Sequence, residues 1–177
     1  CDEGIDDVTR KRVQGIFSEK KIEVSFSDSK DASCTNIYLG VHNSGSLVDQ
    51  LATNLNLPRD VFSLTNKYDN HLLSLYNEGN NVAQVVILGE DTDAVFYGLA
   101  SLEQMIDNAT ENLPCVSIFD YADQQSRGLV EGYYGYPYTI AVKKDLMQFM
   151  MRHKMNTYMY GVKGDPYHSE PWTHPPG

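Results

Sequence analysis

The sequence is poor in several things that would each name a function. It has three cysteines in 177 residues, Cys1, Cys34 and Cys115. None forms a CxxC pair, so a zinc ribbon is excluded. Positive charge is scarce: 14 Lys and Arg stand against 24 Asp and Glu, a formal net charge of −10. That balance argues against a nucleic-acid partner, because phosphate binding needs clustered basic side chains, and equally against an anionic membrane surface. The longest unbroken apolar run is Val85-Val86-Ile87-Leu88, far short of the roughly 20 residues of a membrane span. No signal-peptide pattern is visible. The five histidines, His42, His71, His153, His168 and His174, show no HExxH or other ligand spacing, so no metal site is expected. There is no GxSxG, no GxGxxG and no P-loop, and no cofactor is expected.

What remains is the composition of a globular protein, 41% apolar and 21% charged, long enough for one ordinary domain and part of a second. Cys115 lies in an apolar strand pattern and is expected to be a buried free thiol. The sequence leaves open whether Cys34 and Cys115 pair. Cys1 is read as the start of this stretch of chain in preference to a lipid-modified terminus.

The hydrophobic pattern predicts the following order. Ile5, Val8, Val13, Ile16 and Phe17 give a helix over 5–20, with Asp6 and Asp7 at its start and Lys20 and Lys21 at its end, as the helix dipole prefers. Alternation predicts a half-buried strand over 22–26 and a second strand over 36–41. Ser46 to Asp49 reads as a capping-box-like start of a helix reaching about residue 54. Strands follow over 72–76 and 82–88, the latter continuously apolar and therefore central. Val95, Leu99, Leu102 and Ile106 form one stripe of a helix opened by Thr92. A strand over 113–119 and a polar connector over 120–126 complete the first part. The expected fold class is α/β, a sheet with helices packed on it.

After the connector the pattern becomes strand over 128–134, helix, strand over 156–162, with Thr139 as N-cap and a stripe of Val142, Leu146, Phe149, Met150 and His153. This is a βαβ unit, which calls for parallel strands. The predicted domains are 1–122 and 123–177, the second being, as the resemblance set out below implies, the first βαβ of a (β/α)8 barrel. Barrel active sites lie at the C-terminal ends of the strands, here around Gly132 to Tyr134 and Val162 to Tyr167.

Each candidate at those ends has a functional and a structural reading. Gly132 either lets a ligand reach the backbone or marks a bulge or tight packing. Lys163 donates to a sugar hydroxyl or an anion, or is solvated. Asp165 binds ligand or orients Lys163, or simply begins the turn made with Pro166. Tyr133 and Tyr134 point in opposite directions, so one faces the pocket and the other the core. Glycoside hydrolysis generally uses two carboxylates. The adjacent acids Asp6-Asp7 and Glu90-Asp91 sit at helix starts and read as caps. Glu131 is a candidate buried acid within a strand, without an identifiable partner.

The strings RGLVEGYYGYPY, from Arg127, and MNTYMYGVKGDPYH, from Met155, resemble the opening of the catalytic barrel of glycoside hydrolase family 84. That family contains bacterial β-N-acetylglucosaminidases, often labelled hyaluronidases, and the enzymes that remove O-linked N-acetylglucosamine from proteins. KKIEVSFSD, TNIYLGV, VVILGEDTDAVFYGLASLEQMI and SIFDYAD resemble the small α/β domain preceding that barrel, a domain also carried by family 20 hexosaminidases. Nearly the whole chain is covered. Two departures stand out: Tyr136-Pro137-Tyr138 where Thr-Pro-Trp is usual, and Gly164 where the common form has Asp.

The resemblance implies that Gly132 contacts the sugar through its backbone, that Lys163 binds a sugar hydroxyl, and that Tyr134 and Asp165 line the same pocket. It implies a retaining, substrate-assisted mechanism through an oxazoline, with a catalytic Asp pair after the fourth barrel strand. A barrel needs on the order of 250 residues, and only about 50 follow Arg127. No catalytic residue is therefore expected in this chain, which is expected to be an inactive N-terminal fragment of a secreted or cell-surface enzyme, its partners being N-acetylglucosamine-containing glycans or glycoproteins and the remainder of the barrel. In the family a strand also precedes the stretch beginning at Cys1. The alternative is a non-enzymatic carbohydrate-binding or interaction module. An Asp-Asp pair after an apolar strand in downstream sequence would favour the enzyme.

Overall fold

The computed structural model of the chain describes residues 1–2, 4–27, 29–77, 83–110, 112–132 and 138–160. Two compact units divide it, Cys1–Gln125 and Ser126–Gly177.

The first unit is an α/β layer structure. Helix α1 spans Asp7–Glu19, strand β1 Asn36–Val41, helix α2 Leu47–Asn54, strand β2 Tyr68–Asn77, strand β3 Ala83–Gly89, helix α3 Thr92–Asn108 and strand β4 Val116–Ala122. The sheet order is β1-β3-β2-β4. β1 runs parallel to β3, and β2 is antiparallel to both β3 and β4. β3 is thus central, and its continuous apolar run is buried on both faces, as its pattern predicts.

Alternation along the strands sends successive side chains to opposite layers. Leu73, Leu75, Val85 and Ile87 join Leu39 in a core with Val13, Ile16 and Phe17 of α1 and Val95, Leu99 and Leu102 of α3. Leu72, Val86 and Leu88 pack with Val48 and Ala52 of α2 on the other face. Acidic or hydroxyl caps begin all three helices: Asp6 accepts from the Thr9 amide, Ser46 from Asp49 and Asp91 from Ala94.

Four expectations need correction. Residues 22–26 form no ladder: Ile22 and Phe26 are exposed, and only Val24 packs partly on the core. Alternation specifies two faces but not a partner strand, and along β1 the carbonyl of Leu39 is bonded instead by the Asp2 amide at 3.0 Å. On α1 the buried stripe is Thr9, Arg12, Val13, Ile16 and Phe17, a regular 3–4 spacing, while Val8 is 63% exposed. Arg12 is tolerated in that stripe because it forms a buried ion pair with Glu103 of α3. β4 starts three residues later than predicted and runs into the expected connector as far as Ala122. Cys115, just ahead of β4, is a free thiol but exposed rather than buried; Cys34 is also free and exposed.

The second unit contains strand β5, Gly128–Val130, helix α4, Ile140–Arg152, and strand β6, Thr157–Met159. β5 and β6 are parallel, with Leu129 opposite Tyr158. Both strands are shorter than predicted; residues 133–137 and 161–177 of the expected strand–loop segments lie outside the described residues. Thr139 caps α4 by accepting from the Val142 amide. Of the predicted α4 stripe, Met150 is buried and Leu146 half-buried, whereas Val142, Phe149 and His153 are exposed. Gly128 is required by the strand pairing: a Cβ there would lie 1.5 Å from the carbonyl oxygen of Thr157.

Candidate functional site

The C-terminal end of β5 is built from the base upwards. Asn156 sets the start of both strands, its side-chain oxygen accepting from the Arg127 amide at 2.9 Å. The Arg127 carbonyl in turn accepts from the amides of Asn156 and Thr157, at 2.8 and 2.9 Å. The ladder then continues one residue past β5, where the Glu131 amide donates to the Met159 carbonyl at 2.9 Å. Residue 131 is therefore held in strand register, and Gly132 follows at the point where the ladder ends.

Glu131 is only 3% exposed. Leu129 and Glu131 are two residues apart and share a strand face. Leu129 lies opposite Tyr158, which brings the Tyr158 hydroxyl to Glu131. The hydroxyl donates a short hydrogen bond to Glu131 Oε2. Lys143 Nζ, from the second turn of α4, lies 3.3 Å from the same oxygen. The Tyr138 amide, at the entrance to α4, donates to Oε1 at 2.9 Å. The Lys143 ammonium also stands 4.0 Å from the centroid of the Tyr160 ring, within cation–π range.

These contacts determine the protonation states. Burial alone pushes the Glu131 carboxyl up, but the Tyr158 and Tyr138 hydrogen bonds and the Lys143 charge outweigh it, holding the group below its ordinary 4.5. The same bond to Glu131, aided by burial, pushes the Tyr158 phenol up to about 12. At neutral pH the cluster is thus a carboxylate receiving three donors.

Gly132 directly follows Glu131 in the chain. A Cβ there would meet no described atom within 4 Å, so packing against described neighbours does not account for the glycine. Val130, on the alternate face from Glu131, is 62% exposed. The strand end has one buried, satisfied face and one open face.

Of the residues expected to form a site, Gly132 is placed at this strand end. Tyr134, Lys163 and Asp165 lie outside the described residues. Glu131 has the partners the sequence could not supply. Tyr158, Lys143 and the Tyr138 amide were missed altogether, and the parallel register of β5 with β6 is the signal that would have found the first of them. Elsewhere Asp6 and Asp91 act as caps, each accepting from a helix amide, whereas Glu90, read as a cap from the sequence, instead accepts from the side chain of Asn70, whose Nδ2 lies at 2.7 Å. Among the described residues no three His, Cys, Asp or Glu side chains are grouped to hold a metal ion, and no helix is long and apolar enough to cross a membrane.

Residues 127–176 match the family described as beta-N-acetylglucosaminidase. Residues 1–121 match glycosyl hydrolase family 20, domain 2. Among solved structures, the chain is similar to that titled "Structure of CpGH84D", at 38% identity and a TM-score of 0.82 over 98% of this chain. It also resembles the fold titled "Structure of CpGH84B", at 23% identity and a TM-score of 0.52 over 97% of this chain. The chain spans 28% and 27% of the lengths of those two proteins. With the family 20 domain 2 module followed directly by the N-acetylglucosaminidase segment, and with this likeness across both, the chain belongs to glycoside hydrolase family 84.

Proposed function

We propose that the chain is the N-terminal part of a retaining β-N-acetylglucosaminidase and supplies one edge of its sugar pocket. The observation that carries this reading is the end of β5, where Gly132 follows an anchored residue and a Cβ on it would meet no described atom within 4 Å. It sits inside the segment that matches the N-acetylglucosaminidase family. In this reading β5, α4 and β6 begin a (β/α)8 barrel, whose substrates bind at the C-terminal ends of the strands.

The backbone of Gly132 bonds the bound N-acetylglucosamine, Lys163 donates to a ring hydroxyl, and Tyr134 and Asp165 line the same pocket. Such contacts position the sugar so that its own 2-acetamido oxygen attacks the anomeric carbon, forming an oxazoline and expelling the leaving group. The Asp pair that orients the acetamido group and transfers the proton comes from beyond residue 177. No cofactor takes part. The first unit acts as a support domain, and the enzyme works at the cell surface or outside the cell on terminal N-acetylglucosamine of glycans or glycoproteins.

The test is hydrolysis of a chromogenic N-acetyl-β-glucosaminide by the full-length protein, with the anomeric configuration of the product followed by NMR. Turnover with retention is expected. Absence of turnover, or inversion, would contradict the reading.

A further inference from the structure

We infer that Glu131 is a positioning residue, a clamp whose single carboxylate sets the place of Gly132 against the sugar; the inference rests on the function proposed above. The geometry separates this role from a catalytic one. Glu131 is 3% exposed, and both of its oxygens are engaged by protein donors. By strand alternation its side chain lies on the face opposite Val130, which is 62% exposed. It therefore reaches the ligand only through the backbone.

What the carboxylate gathers is specific. One oxygen accepts from Tyr138, seven residues on and at the mouth of α4. The other accepts from Tyr158 in β6 and faces Lys143 in α4. Residue 131 is held by its own ladder bond to Met159. The two ends of the 131–138 connection are thus tied to each other and to the neighbouring strand through one side chain. A strand end followed by a glycine is otherwise conformationally free. Positional precision of this kind governs how well a backbone group meets its ligand.

The experiment compares Glu131→Ala, Glu131→Gln and wild type in the full-length protein, by steady-state kinetics on the chromogenic substrate and by amide hydrogen exchange. Glu131→Ala removes all three side-chain contacts. It should raise KM about tenfold with kcat within about twofold, the size expected when one charged hydrogen bond supporting binding is lost. The Gly132 and Tyr138 amides should exchange about tenfold faster. Glu131→Gln keeps an acceptor for the Tyr138 amide and should recover most of both effects. Wild-type KM and exchange in Glu131→Ala would overturn the clamp, as would a loss confined to thermal stability or kcat. If wild-type enzyme shows no turnover, the functional reading fails and takes the sugar role with it; unchanged exchange with normal turnover refutes the clamp alone.

Discussion

At the scale of single residues, the function proposed above divides the work of the strand end between Gly132 and Glu131. Gly132 has a conformation open to any L-residue, since its φ is not in the left-handed region, and it has space for a methyl group among the described atoms. An ordinary structural glycine would not tolerate alanine without loss of stability. Gly132→Ala is therefore expected to melt within about 0.5 kcal/mol of wild type while raising KM for the chromogenic glycoside several-fold. A large fall in melting temperature with unchanged KM would return Gly132 to a packing role. Tyr158 gives a second residue-level test. Its phenol is raised from 10.0 to about 12 by Glu131, so the hydrogen bond contributes stability that is complete below pH 10 and is lost as pH rises towards 12. Spectrophotometric titration should show this tyrosine ionising among the last, and Glu131→Gln should bring it back towards 10. For Glu131 the sign is reversed: its lowered pKa makes its contribution present above about 4.5 and lost on acidification. The resemblance of RGLVEGYYGYPY made Gly132 legible in the sequence. The partners of Glu131 were not legible, because they follow from the pairing of Leu129 with Tyr158, a long-range register that no local pattern contains.

At the scale of elements, the parallel pair β5–β6 depends on close backbone approach at its first residue. A methyl group on Gly128 would lie 1.5 Å from the Thr157 oxygen, and both partners are backbone, so neither can yield without breaking the pair. Gly128→Ala should cost about 3 kcal/mol in this unit, seen as faster amide exchange at Thr157, Tyr158 and Met159. Protection equal to wild type would show that the strands are held by something other than this contact. The elements also show which signals a sequence carries well. Periodicity located α3 through the stripe of Val95, Leu99 and Leu102, and the short, β-branched apolar run of Val85, Val86 and Ile87 located the buried β3. It misplaced Val8, because the burial of Arg12 depends on Glu103, 91 residues away. It turned residues 22–26 into a strand, because alternation records half-burial and carries no information about which edge is already bonded. Cys115 was drawn into β4 by its apolar neighbours, whereas the ladder begins at Val116 opposite Leu75.

At the scale of the whole molecule, the sheet-and-helix unit and the βαβ unit are each coherent, yet the second leaves much apolar surface uncovered. Ile140 is 75% exposed, and Val130, Met159 and Phe149 are also open to solvent. In the barrel proposed above, such positions would be buried against the strands and helices that complete it. The function proposed above divides the labour: these residues bind and position, and the chemistry falls to residues outside them. The most direct measurement of that claim is parallel hydrolysis of a chromogenic N-acetyl-β-glucosaminide by the full-length protein and by the isolated chain of 177 residues. Turnover by the full-length protein and none above buffer by the isolated chain are expected. Turnover by the isolated chain, or none by either, would contradict that claim.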